Sequence, residues 1–278
     1  GGSRDDGNRM PVTRTHRRPA TGVGCDRWRP PPAVVGHEDG LDVFSLTLSP
    51  KEYAWIRDFL HERTGILLRD GKQAMVAGRL AKRLRHHGMT SYTEYFHLLR
   101  DPDAVETRTV VDLLTTNETY FFRESEHFTL LHELASAHCG RSGSLRVWSA
   151  ACSSGEETYS IAMTLDDVLG GGRWEVLGTD ICARALGTAR EGLYPLSAAE
   201  RIPEQYLRRY CLRGRDEYLG YLAIRPSLAS RVEFRELNLN EPFPDFMAYY
   251  GTLATGAGWI VPKKYVERVG DEAFKKQP

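Results

Sequence analysis

Asp180 stands where an α/β chain presents a carboxylate to a nucleoside, and Glu156 follows the small-residue turn that precedes it. Upstream of Glu156, Arg146–Ser149 is a short apolar run that suits a buried parallel strand. It breaks into the small residues Ala150, Ala151, Cys152, Ser153, Ser154 and Gly155. A helical pattern follows over Tyr159–Leu165, and then a second apolar run, Leu177-Gly178-Thr179, ends at Asp180. Small residues at such a turn let the backbone approach a ligand, and an acid after the second strand takes ribose hydroxyls. The turn lacks the three-glycine fingerprint of dinucleotide binders, and Glu156 with Glu157 equally suits the positive end of a helix dipole. Turn and acid together point to an enzyme with a nucleoside-bearing cofactor, Glu156 reaching its ribose or its amino-acid portion.

The string Asn117-Glu118-Thr119-Tyr120-Phe121-Phe122-Arg123-Glu124 is unusually aromatic for a connection between domains. Its rings could wall a cleft while Arg123 orients a carboxylate through its fork of donors. On composition alone the simpler reading is the start of an interdomain helix with ordinary core aromatics. No G-x-S-x-G elbow, H-E-x-x-H pair or P-loop occurs, which argues against hydrolysis and phosphoryl transfer. His86-His87 has no acid or cysteine at ligand spacing, so no metal site is expected.

These groups need elements to position them. The chain has 278 residues, room for one large domain or two small ones. Lys+Arg and Asp+Glu both total 37, so bulk charge gives no case for nucleic-acid or membrane binding. No apolar run is long enough to span a bilayer and no secretory leader is evident, which makes a cytoplasmic protein the expectation. The five cysteines read as free thiols. Residues 1–40, rich in Gly, Pro and Arg, are expected to be disordered. From Ser49 the pattern turns helical: Ser49-Pro50-Lys51-Glu52 is a capping box with Pro at the first helical position, and Gly65 supplies the stop. Further helices are expected over 72–87, 91–99 and 103–114, giving a helical domain over 44–116. The helix over 72–87 carries Lys72, Arg79, Lys82, Arg83, Arg85, His86 and His87, which fits a solvated face or docking to an acidic partner. After a helix near 125–138, strands at 145–149, 175–179 and 232–237 alternate with helices at 156–169 and 183–191, implying a parallel sheet. A small, more irregular subdomain is expected near 200–225.

Taken together, NETYFFRE at 117–124, RVWSAACSSGEETYSIAM at 146–163, LGTDICARAL at 177–186, AREGLYP at 189–195 and VEFRELNL at 232–239 resemble the CheR family of chemotaxis receptor methyltransferases. The resemblance covers roughly 44–242. It implies an α/β architecture with an N-terminal helical domain and a Rossmann-like domain, over 117–242, that binds S-adenosyl-L-methionine. The implied reaction moves a methyl group onto glutamates of the helical cytoplasmic region of methyl-accepting chemotaxis receptors. Mapped by motif, Asn117, Thr119 and Arg123 would line the cofactor site, Glu156 and Asp180 would hold its aminoacyl and ribose ends, and Asn238-Leu239 would flank the adenine. Arg123 would also position the reacting carboxylate. The resemblance thus replaces the plain-core reading of 117–124, and the basic helix over 72–87 would fit an acidic receptor bundle. The chain is expected to act as a monomer, without nucleic acid or membrane insertion.

After Pro242 the chain departs from the family, and 245–278 resembles a fragment of a peptide-transporter solute-binding protein. The family's later strands, their cofactor-contacting residues and a tyrosine near the methyl group find no counterpart. A sheet ending after the third strand would leave an unpaired edge, although a strand at 258–261 could patch it. A non-catalytic module that keeps only receptor or cofactor binding is the alternative function. The expectation is weak or absent turnover, and robust methyl transfer by the 278-residue chain would overturn it.

Overall fold

The computed structural model describes residues 47–102, 104–115, 117–140 and 143–242, together with the backbone of strands at 252–255 and 259–262. The expected tail over 1–40 and most of 243–278 lie outside the described residues.

Helix α1, Pro50–Thr64, begins as its sequence dictates. The Ser49 hydroxyl accepts the Glu52 backbone N–H, the Glu52 carboxylate accepts the Ser49 N–H, and Gly65 ends the helix at φ 73°. Helices α2, Gln73–His86, α3, Tyr92–Leu98, and α4, Val105–Leu114, complete the helical part. Their apolar faces share one core in which Ile56, Leu60, Val76, Leu80, Leu84 and Val110 are fully buried.

The basic face of α2 divides. Arg79 donates to the carbonyls of Leu113 (2.9 Å) and Thr115 (3.2 Å), tying α2 to the end of α4. Arg83 forks onto Glu106 of α4, which also accepts from the Tyr95 hydroxyl and pairs with His87 at 3.1 Å. Lys72, Lys82, Arg85 and His86 remain exposed.

Helix α5, Ser125–His138, leads into the sheet. Strand β1, Leu145–Ala150, helix α6, Glu156–Leu169, strand β2, Trp174–Asp180, and helix α7, Ala183–Glu191, form a β–α–β–α run with β1 and β2 parallel. Residues 193–229, between α7 and the next strand of the main sheet, then form a second small sheet that packs on the same core. Strands β3, Leu193–Pro195, β4, Cys211–Arg213, and β5, Tyr221–Ile224, form an antiparallel sheet in the order β3-β5-β4. Helices α8, Glu204–Tyr210, and α9, Pro226–Ala229, accompany it. These strands are too short to display a period, which is why the sequence there reads as irregular.

Strand β6, Val232–Glu236, returns parallel to β2. The expected open edge on the other side of β1 is not found. Strand β7, Thr252–Thr255, runs parallel to β1 with Trp148 opposite Leu253, and β8, Trp259–Pro262, runs antiparallel to β7. Among the described residues the order is therefore β6-β2-β1-β7-β8. The reason is the one that made an open edge costly: unpaired β1 backbone groups take a partner from whatever extended segment is in reach. No helix among the described residues is long and apolar enough to cross a membrane.

The helical part is fastened to the sheet by its carboxylates and carbonyls. Asp112 accepts the Arg184 backbone N–H at the start of α7 (3.2 Å), and Asn238 donates to the Arg63 carbonyl (2.7 Å). Ile181 packs onto the helical core.

Glu106 offers a test of the helical core. Burial pushes its carboxyl up, but hydrogen bonds from Arg83, Tyr95 and His87, with the Arg83 charge, hold it down at about 2. A folded value below the ordinary 4.5 means its stabilisation is complete above pH 4.5 and is lost as pH falls toward 2. Glu106→Gln should cost about 2 kcal/mol at pH 7 and flatten the acid limb of stability over that window, read by urea unfolding at several pH values.

Candidate cofactor-binding site

The β1–α6 turn is forced into an uncommon shape. Ala151 (φ 54°) and Ser153 (φ 52°) are left-handed without being glycine, and Gly155 follows at φ 92°. A Cβ on Gly155 would lie 2.8 Å from the Ala189 Cβ on α7, so only glycine lets the two helices meet there.

Asp180 supplies the compensation. One carboxylate oxygen accepts the Ser153 N–H at 2.7 Å and the other the Cys182 N–H at 2.8 Å. The Cys152 N–H donates to the Thr179 carbonyl at 2.9 Å. One buried carboxylate thus joins the turn after β1 to the turn after β2. Loss of solvent raises the Asp180 pKa, and the Asp112 charge adds to it, against the opposing backbone donors.

Glu156 and Glu157 open α6. Glu156 accepts from the Ser154 hydroxyl at 2.7 Å, and its carboxyl is raised by loss of solvent. Glu157 accepts from the Ser149 hydroxyl at 2.7 Å; loss of solvent pushes it up to about 7, although the Ser149 hydrogen bond and the Arg123 charge oppose the shift. Sequence reasoning singled out Glu156 and passed over Glu157. The available signal was Ser149, a hydroxyl inside an otherwise apolar strand and aimed at the start of the next helix.

The 117–124 string lies beside this turn. The Asn117 amide approaches the Cys182 sulfur at 3.4 Å, and its carbonyl accepts from the Ser153 hydroxyl at 3.3 Å. The Phe122 N–H donates to the Ser160 hydroxyl at 3.0 Å, which in turn donates to the Glu156 carbonyl at 2.7 Å. Phe121 is buried edge-on against Tyr194, and Phe122 stacks on Tyr206 of α8 at 4.9 and 5.1 Å respectively. Thr119 is half-buried, and Arg123 is exposed with one nitrogen donating to the Glu118 carbonyl. Asn117, Glu156 and Asp180 therefore converge on one turn, with Arg123 within electrostatic reach of it through Glu157.

Asn238 and Leu239 sit farther along, past the end of β6. The Asn238 side chain is engaged with Arg63 and Glu241, and Leu239 is exposed. Asn238 lines a cavity of about 390 Å³ between the helical part and the sheet, walled also by Val111, Asp112, Ile181 and Leu237. Ile181, which follows Asp180 in sequence, and Ala183 are among its lining residues.

The raised Glu157 value has a sign. An acid that titrates higher in the folded state loses stability as pH rises from 4.5 to 7. Glu157→Gln should therefore raise the melting temperature at pH 8 and leave it nearly unchanged at pH 4, measured by thermal unfolding in matched buffers.

Comparison with known proteins shows the family. A model of the CheR methyltransferase SAM-binding domain matches residues 117–248, and one of the CheR all-alpha domain matches 51–115. The chemotaxis protein methyltransferase of Escherichia coli strain K12 is 44% identical over 197 residues, covering 70% of this chain and 68% of the relative. Chemotaxis protein methyltransferase 2 of Pseudomonas aeruginosa is 42% identical over 194 residues, covering 69% of each. The chemotaxis protein methyltransferase of Borreliella burgdorferi is 31% identical over 212 residues, covering 72% of this chain and 74% of the relative. The chain belongs to the CheR methyltransferase family.

Proposed function

We propose that this chain methylates glutamate side chains on the helical cytoplasmic region of chemoreceptors, with S-adenosylmethionine as cofactor. The observation that carries the reading is a surplus of carboxylate at one turn. Glu156 and Asp180 both have their pKa raised by loss of solvent, and among the described residues neither has a salt-bridge partner. A buried carboxylate without a cation is costly, so a ligand bearing an ammonium and a sulfonium suits this site. The donor set fits the rest of the molecule: a carboxylate for a diol, and a cavity lined by Ile181, Leu237 and Asn238 for a flat base.

In this reading Glu156 takes the cofactor's ammonium and Asp180 its ribose. Asn117 and Thr119 line the aminoacyl end, and Asn238 and Leu239 flank the adenine. When bound, the cofactor would supply a methyl group on positive sulfur; a carboxylate oxygen would bond to that carbon as its bond to sulfur breaks, leaving a glutamyl methyl ester and S-adenosylhomocysteine. The protein need only align that oxygen, because a glutamate of ordinary pKa, about 4.3, is already ionised at neutral pH. Arg123, exposed and with donors left over from its bond to Glu118, positions the carboxylate. We divide the work between a helical domain over 44–116 and a catalytic domain over 117–242. The chain acts as a cytoplasmic monomer, since the receptor region lies there and the site is built within one chain.

A second reading, binding without turnover, has one observation in its favour. Strand β7, which seals β1 beside the site, lies beyond the residues that the family model matches.

Calorimetric titration with S-adenosylhomocysteine tests the cofactor site. Micromolar binding is expected, weakened at least about tenfold in Asp180→Ala and Glu156→Gln. No binding by a cooperatively folded parent chain would sink the proposal. Transfer of labelled methyl to a receptor cytoplasmic fragment then separates the two readings.

A further inference from the structure

Helix α7 starts without a cap of its own. Its N-cap residue, Cys182, gives no side-chain hydrogen bond to the first turn. An N-cap oxygen would ordinarily accept the N–H of the second or third helical residue. Here the acceptor comes from another part of the molecule. Asp112, near the end of α4, accepts the N–H of Arg184, the second residue of α7, at 3.2 Å. The helical part thus caps a helix of the sheet layer from 72 positions away in sequence.

What lies beside that cap gives it a use. Cys182 is fully buried; its N–H donates to Asp180 at 2.8 Å, and its sulfur meets the Asn117 amide at 3.4 Å. Asp180 and Asn117 are two of the residues assigned above to the cofactor. The carboxylate on α4 therefore grips the segment that contacts both of them, two residues further on. Asp112 also lines the cavity walled by Ile181 and Ala183, together with Arg63, Arg108, Glu236 and Glu241. Loss of solvent is the first cause of the raised Asp180 pKa, and the Asp112 charge acts in the same direction. Cys152 is the other titratable group within electrostatic reach of Asp180.

We infer that Asp112 is a positioning residue for the cofactor: by capping α7 from the helical part it holds Asp180 and Asn117 in place, so cofactor affinity depends on how the helical part is seated. The inference rests on the proposed cofactor role of Asp180. Two contributions of Asp112 are separable. The cap needs only an oxygen acceptor, which asparagine keeps, and a segment already held requires less ordering when a ligand enters. The charge works the other way, because it opposes ionisation of Asp180, the form that best accepts ribose hydroxyls.

Calorimetric titration of the full chain with S-adenosylhomocysteine, from pH 8 down to pH 5.5, tests this. At pH 8 Asp112→Ala should weaken binding about three- to tenfold, the scale of a lost helix cap, and Asp112→Asn should recover most of that loss. Affinity should fall with pH as Asp180 takes up a proton. In Asp112→Asn the fall should set in at lower pH than in the parent, since the charge that raises Asp180 is gone. Glu156 and Glu157, whose carboxyls are also raised by loss of solvent, contribute to the same fall in all three proteins, so the difference reports Asp112. Equal loss in both variants with an unchanged acid limb, or no loss in either, overturns the role of Asp112 and leaves the cofactor site standing. If Asp112→Ala does not unfold cooperatively, the shift in Asp112→Asn decides alone, and its absence overturns the inference. No binding by a cooperatively folded parent overturns the cofactor site and this inference with it.

Discussion

The buried carboxylate of Asp180 is the constraint on which the functional half of this molecule depends. It accepts one backbone N–H from the turn after β1 and another from the turn after β2, so the ends of two neighbouring parallel strands are fixed to each other. The turn it holds contains two left-handed residues that are not glycine, a geometry that costs on the order of 1–3 kcal/mol per residue and persists only where its surroundings impose it. Gly178, inside β2, belongs to the same construction. A Cβ there would come within 2.7 Å of Phe234 on β6, so the strands close up behind the turn only because that side chain is missing. The rigidity gained is what a site for a small cofactor requires, since reacting groups must be held to within a fraction of an ångström.

The helical part does more than cover this construction. Its Asp112 accepts the Arg184 N–H at the first turn of α7, the helix that begins immediately after Asp180 and Cys182. The same carboxylate raises the Asp180 pKa through space. At the far end, Asn238 and Asn240 hold the carbonyls of Arg63 and Glu62 at the exit of α1. The cavity lined by Ile181 and Asn238 is consequently walled by both parts, and its shape depends on their staying together. Within the helical part, part of the cationic charge on α2 is consumed by α4, so a docking surface on that helix would use its outward residues and not Arg79 or Arg83.

The aromatic string is a wedge between layers. Phe121 points into the main core against Tyr194, while Phe122 stacks on α8 of the antiparallel subdomain. The plain-core reading describes Phe121 and Phe122, which pack on the main core. Phe121 and Phe122 give the anchoring, and Tyr120 with Arg123 gives the exposed face.

Much of this was legible in the sequence. The capping box at Ser49, the stop at Gly65, the helices over 156–169 and 183–191 and the parallel strands between them follow from local rules of capping and period. Each depends only on residues a few positions apart. The resemblance carried by 117–239 led to the family that the comparisons give. What no local pattern contained were the long-range choices. The partner of β1 was decided by which distant extended segment could satisfy its backbone groups, and residues 252–255 did so. The burial that lifts Glu157, and not only Glu156, came with the packing of α6, against the opposing hydrogen bond from Ser149. The meeting of Arg201 with Arg123 over Tyr120 required the subdomain to fold back against the string. Local chemistry determines where a chain turns and which faces it hides; only the packed structure decides which charges end up sharing one place, because that depends on contacts between segments far apart in sequence.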